Sequence, residues 1–209
     1  MPRGAARPGG RHLGVPHLPG ADVNGLHRTA VFFGGVRAAS GNEEKLAEEI
    51  GQALAEAGYQ LLHGGYNGLM EAAARGAASG GAQVTAVTLA DKHNEWGAFN
   101  PYATASVHLP DLGVRLNYYL DHADLVVAMG GGIGTLHELT AAAYYATTIR
   151  PAPILLAGPT ALRLLAFLRE EKWLYDAPTR PLGFLRTAET ADAFRDHLTT
   201  LQTTLIGGA

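Results

Sequence analysis

The sequence holds no cysteine, which excludes disulfides and thiolate metal sites. Lysine is scarce as well: Lys45, Lys92 and Lys172 are the only three. Lys45 falls on the exposed side of a helical pattern, and the other two lie in no recognisable motif. Pyridoxal chemistry needs a Schiff-base lysine and a Walker A loop needs a lysine after its glycines, so both are excluded. No apolar run approaches the roughly 20 residues of a membrane helix. The first 28 residues carry arginines without an apolar stretch, unlike a secretory signal. A formal charge of −3 argues against a nucleic-acid binder driven by bulk charge. Together these absences predict a cytoplasmic protein with no membrane or nucleic-acid partner.

What is present is apolar surface and glycine. A hydrophobic fraction of 47% is enough for a core that needs no metal or disulfide. Residues 1–28 are rich in Gly and Pro and read as a flexible arm; residues 29–209 read as one domain. Within that domain, strand-length apolar runs occur at TAVFFGG (29–35), YQLLHGG (59–65), AQVTAVTL (82–89), DLVVAMGG (124–131) and APILLAG (152–158). They are continuous rather than alternating, as in strands buried on both faces. Helical patterns separate them, the first opening on a capping box of Ser40 and Glu43. The alternation predicts an α/β fold, a Rossmann-like doubly wound parallel sheet flanked by helices. Residues 91–111 read as an irregular loop.

Glycine collects where strands turn into helices, in HGGYNGLMEAA (63–73), MGGGIGTLHEL (129–139) and, more weakly, FGGVRAASGN (33–42). Beyond the carboxyl ends of parallel strands, a helix N-terminus offers free N–H groups and the positive end of its dipole. Bare backbone there suits a phosphate, with the Thr135 hydroxyl as an added donor. A dinucleotide fingerprint is disfavoured: Thr135 stands where its third glycine belongs, and no acidic residue follows Glu138 until Glu170.

These residues resemble the LONELY GUY (LOG)-like proteins, often labelled "lysine decarboxylase-like". Gly131-Gly132-Ile133-Gly134-Thr135-Leu136-His137-Glu138 matches the GGxGTxxE core of their PGGxGTxxE signature. GGYNGLMEAAARGA resembles their upstream glycine block, and Arg115 stands 15 residues before Gly130, at the spacing of the family's arginine. The resemblance covers residues 29–175. It implies hydrolysis of the N-glycosidic bond of a nucleoside 5′-monophosphate, AMP or a cytokinin riboside monophosphate, to free base and ribose 5-phosphate. It implies no cofactor and no metal, and a homodimer or higher homo-oligomer. A molybdenum-cofactor-binding protein on the same scaffold makes non-catalytic binding of a nucleotide or of that cofactor the alternative, and a regulatory or assembly subunit a third. The chain departs from the pattern at Gly130, where the signature has proline; at Leu116, where it has lysine; at Asn117, where an acid is common; and at Gly35, where it has serine.

Carried onto this chain, the site comprises Arg115 and Glu138 as catalytic residues. Gly35, Gly64, Gly65, Gly68, Met70, Glu71, Asn117, Gly130, Gly131, Gly132, Ile133, Gly134 and Thr135 would hold substrate. A carboxylate under the ribose would stabilise an oxocarbenium-like transition state and activate water. His137 faces away from Glu138 around the helix and reads as surface or interface. Tyr118, Tyr119, Tyr144 and Tyr145 read as interface residues or as stacking surfaces for a base.

Overall fold

The computed structural model describes residues 28–38, 40–90 and 100–206. Seven strands form one parallel sheet in the order β4-β3-β2-β1-β5-β6-β7. They are β1 Arg28–Phe33, β2 Tyr59–His63, β3 Val84–Leu89, β4 Ala105–Leu109, β5 Leu125–Ala128, β6 Ile154–Ala157 and β7 Leu185–Ala188. Among the described residues six helices flank the sheet: α1 Gly41–Glu56, α2 Leu69–Ser79, α3 Leu112–His122, α4 Ile133–Thr148, α5 Gly158–Glu170 and α6 Ala191–Ile206.

Side chains alternate between the faces of the sheet. Ala30, Phe32, Leu61 and Val127 enter a core closed by α1, α2 and α6. Val31, Phe33, Leu62 and Val126 enter a second core closed by α3, α4 and α5. Burial on both faces explains the continuous apolar runs of the inner strands. The arrangement is the predicted doubly wound Rossmann-like sheet. The strand order reverses between β1 and β5, and that switch point is where ligands enter such sheets.

Two strands depart from the sequence expectation. β4 lies inside the stretch read as irregular, and β7 was not anticipated. Both are edge strands with part of their length exposed, so neither carries a long apolar run. Residues 91–99 of the expected loop lie outside the described residues, as does the arm expected at 1–28 except for Arg28, which opens β1.

Candidate functional site

The chain leaves β1, β5 and β2 as three glycine loops that are bound to one another. Gly35 N–H donates to the Gly130 carbonyl at 2.8 Å, and Leu69 N–H donates to the Gly35 carbonyl at 3.0 Å. A Cβ on Gly35 would stand 2.7 Å from the Gly131 Cα, and one on Gly131 would stand 2.2 Å from the Thr135 Oγ1. A Cβ on Gly68 (φ +70°) would meet the Val36 carbonyl carbon at 2.4 Å. These glycines are demanded by contact between loops.

Gly132 and Gly134 are different. A Cβ on either would meet nothing within 4 Å, and neither has positive φ. The fold asks for no glycine at these two positions.

Helix capping leads to the same place. Ser40 caps α1, accepting from Glu43 N–H at 3.3 Å, and Asp111 caps α3, accepting from Val114 N–H at 2.9 Å. Thr190 takes the Ala193 N–H at the start of α6. At α5 the buried Glu43 carboxylate accepts from Thr160 N–H at 2.9 Å, a use of the predicted capping-box acid across the molecule. Only α2 and α4 begin on glycine with no side-chain cap among the described residues. The first N–H of α2, from Leu69, is taken by Gly35. The α4 N-terminus, from Ile133 to Thr135, has no side-chain cap and brings its N–H groups and positive dipole end to the switch point.

Beside it runs a cleft of about 690 Å³ that Arg115, Leu116, Ile133, Gly134, His137 and Glu138 help to line. Arg115 lies one turn into α3 and Glu138 on the second turn of α4. Arg115 Nη2 donates to Glu138 Oε1 at 3.3 Å, and their side chains are only 12% and 16% exposed. The Arg115 guanidinium also lies 5.9 Å from the Tyr119 ring centroid. Burial pushes the Glu138 carboxyl up to about 7, with Arg115 pulling the other way. The contact is longer than the 2.7–2.9 Å usual for a charge-assisted bond.

The other expected site residues are spread more widely. Gly130 is buried, Gly131 and Ile133 stand at the exposed mouth, and Thr135 is buried beneath it. Gly64 and Gly65 are buried in the loop after β2. Three of the expected residues lie apart from this cleft. Met70 packs into the α1/α2 core rather than walling a pocket. Asn117 is exposed on α3 and does not line the cleft, because two residues of helix turn it away from Arg115. Glu71, half-buried in the first turn of α2, does not line it either. Tyr118 and Tyr119 are buried, and Tyr119 Oη donates to the Val87 carbonyl at 3.0 Å, so neither presents a ring to a base or a partner. Tyr144 is exposed, and Tyr145 Oη donates to Asp121. His137 is exposed on the cleft wall. His63 carries no motif signal beyond standing before Gly64, yet its Nδ1 accepts the Gly65 N–H at 2.9 Å and so enters the loop network.

Among solved structures, the molybdenum cofactor carrier protein of Chlamydomonas reinhardtii has a similar fold, with a TM-score of 0.65 at 20% identity. The likeness covers 85% of this chain and 99% of that one. DNA processing protein A of Helicobacter pylori is similar at a TM-score of 0.54 and 13% identity, over 83% and 80%. An uncharacterised protein of Archaeoglobus fulgidus is 34% identical over 99 residues, which span 47% of this chain and 62% of that protein. The sequence profile of the SLOG cluster4 family matches residues 28–157, more than half of the chain and the whole stretch from β1 to the end of β6. On that match, with the glycine loops and Glu138 in place within it, the chain belongs to the SLOG cluster4 family of LOG-like proteins.

Proposed function

We propose that the protein hydrolyses the N-glycosidic bond of a nucleoside 5′-monophosphate of the AMP or cytokinin-riboside type. The observation that carries this reading is the half-buried Arg115–Glu138 pair beside an uncapped helix end with open glycine backbone. The phosphate sits on the N–H groups of Ile133 to Thr135, and the ribose reaches along α4 toward Glu138. Glu138, ionised, takes a proton from water as the water oxygen bonds to the anomeric carbon. The C1′–N bond breaks, its electron pair leaves with the base, and the base picks up a proton from solvent. Arg115 holds the Glu138 carboxylate and, as substrate enters, meets the ribose hydroxyls. No step asks for a metal or cofactor. Incubation with AMP and separation of free base from nucleotide tests the reading. Release of adenine that is lost in Glu138→Gln supports it, and release unchanged in that variant overturns the role given to Glu138.

A second reading is non-catalytic binding of a nucleotide or of the molybdenum cofactor. The similarity to a molybdenum cofactor carrier over nearly all of that chain favours it. Saturable binding of AMP or a pterin without base release over hours would select it.

We also propose that the protein is a homodimer. Leu112, Ile133, Tyr144, Phe167 and Trp173 are all exposed, and all line either the cleft or the adjoining groove between α4, α5 and residues 173–185. A second copy covering this face would wall the cleft opposite Glu138. Sedimentation at micromolar concentration tests it: the wild type should run as a dimer and Trp173→Glu as a monomer.

A further inference from the structure

We propose that His63 is a positioning residue of the ligand site, setting the shape of the loop after β2 by accepting the Gly65 N–H on its imidazole. The proposal rests on reading that site as a nucleotide site. His63 ends β2 and its side chain is completely buried. Its Nδ1 accepts from Gly65 N–H at 2.9 Å. A nitrogen that accepts carries no proton, so the ring proton is on Nε2. Nε2 is buried and has no partner among the described residues.

A buried donor without a partner is unfavourable, and an apolar side chain would fill the same space without that penalty. Packing therefore does not explain a histidine here. What the imidazole supplies is an acceptor two residues before the N–H it binds, the geometry by which Asn and Asp hold turns. The N–H belongs to Gly65, which has φ +81°. Asn100 holds the next two peptides: its N–H donates to the Gly65 carbonyl at 3.0 Å, and its Nδ2 donates to the Tyr66 carbonyl at 3.2 Å. Both polar groups of Gly65 are thereby fixed.

From Gly65 the loop runs to Gly68, pressed against the Val36 carbonyl, and to Leu69, whose N–H binds Gly35. Gly35 in turn binds Gly130, at the entrance to the α4 cradle. His63 thus anchors one end of a hydrogen-bonded series that closes on the open helix terminus. Burial lowers its imidazole to about 4, so the ring remains an acceptor throughout the neutral range.

The test compares His63→Leu with His63→Asn, whose Oδ1 stands close to where Nδ1 stood. Nitrogen NMR of the wild type should show the Nε2–H tautomer at neutral pH. Calorimetry with AMP should show binding weakened about tenfold or more in His63→Leu and within about threefold of wild type in His63→Asn. An Nδ1–H tautomer, full affinity in His63→Leu, or equal loss in both variants would overturn the proposal. If the wild type binds no AMP, the nucleotide reading fails, and amide exchange decides for His63. Exchange at Gly65 and Gly68 that is faster in His63→Leu alone would support the positioning role, and any other pattern would reject it.

Discussion

Burial and a guanidinium act on the Glu138 carboxyl in opposite directions, and burial prevails, bringing the group to about 7. A general base works only when ionised. Activity should therefore rise as pH climbs through about 7 and level off above it. Arg115→Gln removes the pull that favours ionisation, so the rising limb should move to higher pH as well as losing height. Glu138→Gln should lower kcat by about 10²–10⁴-fold. The check is kcat/KM for AMP across the neutral range; a flat wild-type profile would remove Glu138 as the base. At this scale the sequence is informative about which residues matter and silent about their state. Spacing and resemblance single out Arg115 and Glu138, but their 3.3 Å contact joins residues 23 apart in the chain on two different helices. The burial that sets the Glu138 proton equilibrium is a tertiary property.

Among the elements, the inner strands are legible because both of their faces are buried, whereas edge strands β4 and β7 are not. The glycine loops are legible as loops, but the sequence does not separate glycines held by contact from those left bare. The structure predicts different outcomes for the two kinds. Gly134→Ala should keep or slightly raise stability, by up to about 1 kcal/mol for alanine in place of glycine in a helix, and should weaken AMP binding. Gly131→Ala, crowding Thr135 and the Gly35 nitrogen, should lower stability by about 1–3 kcal/mol. Urea midpoints and AMP titration separate the two. Gly130 has a packing reason of its own: a Cβ there would lie 2.7 Å from the Thr160 Cβ. The start of α5 fills the space that a larger residue would occupy. Gly130→Ala should destabilise the protein, and Thr160→Gly should recover part of that loss, with a coupling of about 0.5–3 kcal/mol in the double-mutant cycle. Simple additivity would show that α5 does not determine the residue at 130.

Across the whole molecule, two groups on different elements, Glu138 of α4 and His63 at the end of β2, oppose each other in pH. The Glu138 carboxyl keeps its proton to about 7 when folded but releases it near 4.5 when unfolded. Between those values the unfolded chain binds fewer protons, so stability falls as pH rises. The His63 imidazole loses its proton at about 4 when folded and near 6.5 when unfolded. In that window the unfolded chain binds more protons, so stability rises with pH. Each shift is worth roughly 3 kcal/mol, and the two slopes run against each other between 4.5 and 6.5. The wild type should owe little net pH dependence to this pair. His63→Asn should expose the Glu138 slope, losing stability relative to wild type as pH rises from 4.5 to 6.5. Glu138→Gln should expose the His63 slope, losing stability relative to wild type as pH falls from 6.5 to 4.5. Urea unfolding of the three proteins across that range provides the measurement. Curves that run parallel would show that neither group is held in the protonation state its burial dictates.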